Sequence, residues 1–150
     1  MSNNIDLSIW DTVISIDTGR INQPIDIPPA YSPFVRKEDA ELSLNLHPGD
    51  PDIADGSKVF EGQPIWALYR SNGKSVVKIY SNMPGLERTL VVSEDLSAAD
   101  LYFLYNAGLL VDPFIGPTLE LLMINYLALG RGVILHGCGI AKDGEGVLFI

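Results

Sequence analysis

The sequence predicts an α+β domain with a mostly antiparallel β meander, two helices at about residues 97–107 and 117–129, and a C-terminal strand pair. Three observations carry that expectation. Between residues 41 and 92 apolar and polar side chains alternate and turn signals recur. From Ser97 the apolar spacing turns helical, and from Val133 short apolar runs return around Asp143-Gly144.

Length and composition bound the answer. A chain of 150 residues makes one domain or slightly more, and 47% hydrophobic residues with a mean hydropathy of +0.18 suffice for a core. The net charge is −9, and the ten Lys and Arg residues are scattered along the sequence, with only Arg36-Lys37 adjacent. Nothing in that spacing forms a basic face for phosphates, so neither a nucleic acid nor an anionic membrane surface is expected as a partner. The single cysteine, Cys138, excludes an internal disulfide framework. Residues Met1 to Asp6 lack the basic and apolar regions of a signal peptide, and the apolar stretch Leu119–Leu129 is too short to span a bilayer. A cytoplasmic protein is expected.

Taken in order, Ile5 to Ile16 alternates with a slip near Asp11-Thr12, as a strand with a bulge or bend would. Pro24, Pro28, Pro29 and Pro33 remove donors and fix φ, so residues 21–33 form an extended loop or edge segment. Leu42, Leu44 and Leu46 alternate strictly with Ser43, Asn45 and His47 in a half-buried strand. Residues 48–56 are turn-rich. Pro64–Tyr69 and Ser75–Tyr80 flank Asn72-Gly73, the pair that supplies two positive φ angles to a hairpin turn. Pro84-Gly85 suits a second turn before the strand Glu87–Val92. Ser97-Ala-Ala-Asp100 reads as a helix start, with Leu101, Leu104 and Tyr105 as its stripe and Gly108 as its stop. A second helix from about Pro117 to Leu129 is apolar on most sides and so is buried, with Gly130 just past its end.

The residues that invite chemistry do not complete a site by spacing. Glycine pairs at Gly130, Gly137 and Gly144 lead to Leu135, Lys142 and Phe149 where a phosphate loop would need a third glycine, and Gly-x-x-x-x-Gly-Lys-Ser/Thr is absent. Asp50, Asp52 and Asp55 are out of step for a calcium loop and lack its glutamate. His47, His136 and Cys138 have neither paired ligand spacing for zinc nor an orienting acid for a nucleophile. Trp66, Tyr69 and Tyr80 offer either a recognition face or cross-strand packing.

Val133-Ile-Leu-His-Gly-Cys-Gly-Ile-Ala-Lys-Asp-Gly-Glu-Gly-Val-Leu-Phe-Ile150 resembles the segment just upstream of the Walker A loop in HPr kinase/phosphorylase and its HPr-kinase-like relatives, which share a nucleotide-binding core with ATP-type phosphoenolpyruvate carboxykinases. In that family an apolar run ends in a histidine and small residues, and a turn and apolar strand then lead into the phosphate loop. Here the run is Val133–Leu135, the histidine is His136 and the strand is Val147–Ile150. The likeness is specific over these last residues, loose over residues 60–132 and absent before them. It implies an N-terminal part, residues 1–132, followed at 133–150 by the start of a kinase-like core.

The same resemblance implies a parent activity of ATP-dependent protein kinase or phosphotransferase, with ATP and Mg expected only for a full-length relative and no cofactor in this chain. The loop and the catalytic aspartates would lie beyond Ile150, so residues 1–150 are expected to be inactive alone. Only His136 carries over as a catalytic-site residue, placed near the phosphates in the family. The alternative is a non-catalytic peptide- or protein-binding module that uses an exposed edge of the meander. An unpaired C-terminal strand would also favour a homo-oligomer.

Overall fold

The computed structural model describes residues 4–9, 11–21, 24–53, 56–62, 64–80, 87–103, 113–114, 116–135 and 137–149. Ten strands are described: β1 (Asn4–Ile9), β2 (Thr12–Asp17), β3 (Leu42–Pro48), β4 (Ser57–Gly62), β5 (Trp66–Ser71), β6 (Lys74–Ile79), β7 (Arg88–Val92), β8 (Ala98–Phe103), β9 (Cys138–Lys142) and β10 (Glu145–Phe149). The α-helix among the described residues is α1 (Thr118–Leu127), and Ser32–Phe34 forms a short 3-10 turn. The first eight strands form one mixed sheet in the order β1-β2-β3-β8-β7-β6-β5-β4, and among the described residues β9 pairs with β10 in a separate two-stranded sheet.

The slip near Asp11 is a reversal: Ile9 faces Thr12 and Asn4 faces Asp17, so the expected single bent strand is a hairpin of two. The chain from Thr18 to Glu41 then carries β2 into β3, which pairs with it in parallel, Ile14 opposite Leu42 and Ile16 opposite Leu44. A parallel neighbour needs a long crossover, and this one is the proline-rich segment. Its Ile21, Ile25, Ile27, Tyr31 and Val35 pack against the core. It also closes the outer side of β1, where Leu7 bridges Val35 and the Arg36 amide donates to the Asp6 carbonyl at 3.0 Å.

The meander is antiparallel from β4 to β8, but β3 does not belong to it. After β3 the chain crosses to the far edge, and the meander returns β8 to lie parallel beside β3, with Leu44 opposite Ala99 and Leu46 opposite Leu101. The hairpin turn at Asn72-Gly73 forms as expected, with φ of 49° and 78°. The turn at Asp143-Gly144 repeats it, with φ of 52° and 82°.

The expected helix at 97–107 is a correction. Residues 98–103 are the central strand β8, paired on both sides, and residues 104–107 lie outside the described residues. Ala99, Leu101 and Phe103 are buried while Ala98, Asp100 and Tyr102 face the other way, a period of two that the short run Ala-Ala-Asp-Leu disguised. Local helix propensity loses to pairing with β3 and β7. The helix start is instead the loop between β7 and β8. There the Asp95 carboxylate accepts from the Ser93 hydroxyl at 2.7 Å and the Ser97 amide at 3.1 Å, while the Ser93 amide donates to the Ala98 carbonyl.

The second expected helix is present as α1. It ends where Gly130 takes φ of 81° and the Arg131 amide bonds the Leu127 carbonyl at 3.0 Å. Leu119, Leu122, Met123 and Tyr126 lie in one buried cluster with Leu44, Leu90 and Leu101, so α1 covers the leucine face of the sheet. The Arg88 guanidinium donates to the Thr118 hydroxyl at 3.2 Å and ties the start of α1 to β7. Burying a leucine-sized side chain is worth about 1.5–3 kcal/mol, and that cluster is where the fold's stability resides.

The expected C-terminal strand pair is present as β9 and β10, beginning only at Cys138, and residues 132–135 before it have no regular structure and are exposed. No helix among the described residues is long and apolar enough to cross a membrane.

Candidate functional site

The sheet has two faces, and α1 covers one. On the other, the alternation that buries the leucines of β3 presents Ser43, Asn45 and His47, and β8 presents Asp100 and Tyr102. Parallel register sets Asn45 opposite Asp100 and His47 opposite Tyr102. Asn45, His47, Asp100 and Tyr102 form one polar cluster. The His47 imidazole Nε2 lies 2.7 Å from Asp100 Oδ1, and the Asn45 amide donates to the same oxygen at 3.1 Å. The Tyr102 ring stacks on the imidazole with centroids 4.7 Å apart and planes at 15°.

Arg20 completes the cluster. Asp17, opposite Asn45 on β2, accepts the Gly19 amide at 2.7 Å and fixes the turn that follows. From that turn the Arg20 guanidinium reaches His47 Nδ1. A guanidinium only donates, so Nδ1 accepts and Nε2 carries the hydrogen given to Asp100. Both ring nitrogens are therefore engaged. The His47 side chain is 13% exposed and that of Asp100 34%, so the carboxylate opens to solvent more than the imidazole does. Burial raises the Tyr102 phenol above its ordinary range, the Asp100 charge adds to the effect, and Arg20 offsets it.

This arrangement holds charge in place, but it leaves no imidazole nitrogen to take a proton from a substrate, and the Ser43 hydroxyl on the same face donates to the Ser97 carbonyl at 3.5 Å instead. Chemically it is a pin that joins the crossover segment to β3 and β8.

A larger concavity lies at the end of α1. A cavity of about 630 Å³ is lined by Ile9, Met123, Leu127, Val133 and Ile134, with Glu41, Tyr126 and Arg131 among its polar walls. The buried Tyr126 hydroxyl donates to Glu41 at 3.1 Å and accepts from Arg131, whose guanidinium also lies 4.2 Å from the ring centroid. Burial raises the Tyr126 phenol, the Glu41 carboxylate raises it further, and Arg131 works against both.

The residues singled out by sequence are dispersed. His136 lies outside the described residues. Cys138 is exposed at the start of β9, opposite Phe149, and no described contact joins it to His47. No group of three potential metal ligands stands together among the described residues. Asp50 lines a small cavity of about 150 Å³ over β5–β7 with Ile53, Tyr69 and Lys78, and Asp55 lies outside the described residues. Trp66 packs on Phe60 with centroids 5.2 Å apart, whereas the Tyr69 and Tyr80 hydroxyls meet at 3.4 Å. His47 was a sequence candidate, but its partner Asp100 was not. The two are far apart in the chain, and local spacing places Asp100 in a helix start.

A scan against protein-family models gave no match, and searches of the curated proteins and of the solved structures gave none either.

Proposed function

We propose that this chain is the N-terminal region of an HPr-kinase-like, ATP-dependent phosphotransferase. In this reading residues 1–132 form an accessory β domain and residues 133–150 begin the nucleotide-binding core. One observation of the fold supports it beside the resemblance of Val133–Ile150. The β9–β10 pair is a sheet of its own, and Ile140, Val147 and Leu148 are 64%, 57% and 53% exposed. A lone two-stranded hairpin is marginal in water, so an apolar one is an element built to be covered. The first hairpin of a larger core is such an element.

Residues 1–150 do not themselves fit ATP: they contain no glycine loop with the lysine that cradles phosphates. In this reading His136 stands beside the phosphates and the remaining groups come from elsewhere, so residues 1–150 neither bind Mg-ATP nor transfer phosphate. Two measurements test the proposal. The reading frame past the Ile150 codon should encode Gly-x-x-Gly-x-Gly-Lys-Ser/Thr, and calorimetry of residues 1–150 with Mg-ATP should give no heat of binding. A frame without that motif, or micromolar Mg-ATP affinity in residues 1–150, overturns it.

A further inference from the structure

The large sheet ends in two edges of different character. The β1 edge is closed by Val35 and Arg36. At the other edge, no described residue pairs with the outer side of β4, and Ser57 to Glu61 are all exposed. We propose that the outer edge of β4 docks an extended acidic peptide in which carboxylates alternate with apolar side chains.

Register gives that edge two chemically distinct sides. Phe60 is opposite Leu68, on the side covered by α1, and packs on Trp66. Lys58 is opposite Tyr69, on the other side, with its ammonium 6.0 Å from the Tyr69 ring centroid, and Lys78 approaches the same ring at 5.2 Å. A strand added to β4 sends successive side chains to opposite sides. Every second residue would then meet Phe60 and Trp66, and the residues between would meet Lys58. Directly opposed charges and aromatic contacts are the pairs that stabilise neighbouring strands.

Charge selects the partner. By register Lys58, Lys74 and Lys78 share the Tyr69 side, where Asp50 lines a cavity with Lys78, while Arg70 lies on the α1 side and donates to the Ser75 hydroxyl at 2.7 Å; within residues 57–80 of a chain whose net charge is −9 the acid is Glu61. Lys58 and Lys78 are far apart in the sequence; the antiparallel pairing of β4, β5 and β6 brings both to the Tyr69 ring. Glu61 already holds Lys58 at 3.1 Å, so an internal carboxylate occupies the position that a ligand carboxylate would take. The bulge between Lys58 and Phe60, with a lysine on the edge, discourages pairing of β4 with a second β4. A carboxylate-bearing strand removes that repulsion. The exposed backbone edge favours a peptide over a nucleic acid, which has no amide ladder to match it.

Fluorescence polarisation at low salt tests this with an acetylated, fluorescein-labelled octapeptide of alternating glutamate and valine. The wild-type chain should bind it. Lys58→Glu should weaken binding by about tenfold or more, while Glu61→Gln should strengthen it several-fold by freeing Lys58. Both positions are exposed, and circular dichroism of the two variants should match the wild type. A peptide with lysine in place of glutamate should not bind. The proposal is overturned if neither substitution changes the affinity, if the lysine peptide binds equally well, or if a single-stranded oligothymidylate displaces the acidic peptide. The last result would assign the strip to nucleic acid by stacking on its aromatic residues. Mg-ATP takes no part, so these outcomes are independent of the phosphotransferase reading.

Discussion

If the cluster around His47 is a structural pin, removing Asp100 should cost stability through its partners, and the cost should be shared with His47. Asp100→Ala removes two acceptor contacts, from Asn45 at 3.1 Å and from His47 at 2.7 Å. Hydrogen bonds to a charged group contribute about 1.5–3 kcal/mol when shielded. With the carboxylate 34% exposed, solvent screening brings the pair of contacts down to about 1–2 kcal/mol in total. His47→Ala loses one of those bonds, the Arg20 contact and the stack on Tyr102, which adds about 0.5–1.5 kcal/mol. The double variant should then be less destabilised than the sum of the single ones, with a coupling of about 1 kcal/mol. Urea unfolding followed by tryptophan fluorescence measures all four chains, and the slope with urea should not change. Leu44→Ala, on the opposite face of the same strand and fully buried, calibrates the scale at about 3 kcal/mol. A coupling indistinguishable from zero, beside a normal Leu44→Ala loss, would refute the pin.

Four further outcomes follow from the geometry. At Gly56 an added Cβ would lie 1.8 Å from the Arg70 carbonyl oxygen, so Gly56→Ala should cost about 1–3 kcal/mol in urea unfolding by forcing the start of β4 off β5; no loss would show that the approach is looser. Asp95, held by Ser93 and Ser97, has its carboxyl lowered from 3.8 to about 2, so its contribution is present above pH 3.8 and is lost as pH falls toward 2; acid titration of Asp95→Asn should show a shallower loss of stability across that window. Tyr126 is shifted the other way, so its contribution is full below pH 10.0 and is lost as pH rises through the folded value. Tyr126→Phe should cost about 1 kcal/mol at neutral pH by stranding Glu41 and Arg131, and should flatten part of the alkaline loss, Tyr102 supplying the rest. Finally, the exposed apolar β9–β10 pair should draw two copies together, so light scattering over a concentration series should rise above the 16.4 kDa monomer; a constant monomer mass would refute it.

Much of the fold was legible locally. Strict alternation at Leu42–Leu46 marked β3, Asn72-Gly73 marked a hairpin, and the stretch closed by Gly130 marked α1, because each rests on contacts within a few residues. β4 escaped because Ser57-Lys-Val-Phe-Glu61 carries a bulge that breaks its alternation. β8 was misread because its first four residues favour a helix, and only two neighbouring strands make it a strand. The same misreading hid Asp100, so the sequence offered His47 without its acid.

By itself the sequence determined that the chain has an apolar core, a net negative charge, turns at fixed positions and a terminal strand pair. Those properties follow from composition and short-range periodicity. The tertiary structure decided that β3 lies between two parallel partners, that the proline-rich segment closes one edge while no described residue pairs with the outer side of β4, and that Lys58 and Lys78 meet at the Tyr69 ring beside that edge. These follow from register between strands far apart in the chain, and register is set by which apolar faces can be buried against one another, a condition on the whole sheet that no short stretch of sequence contains.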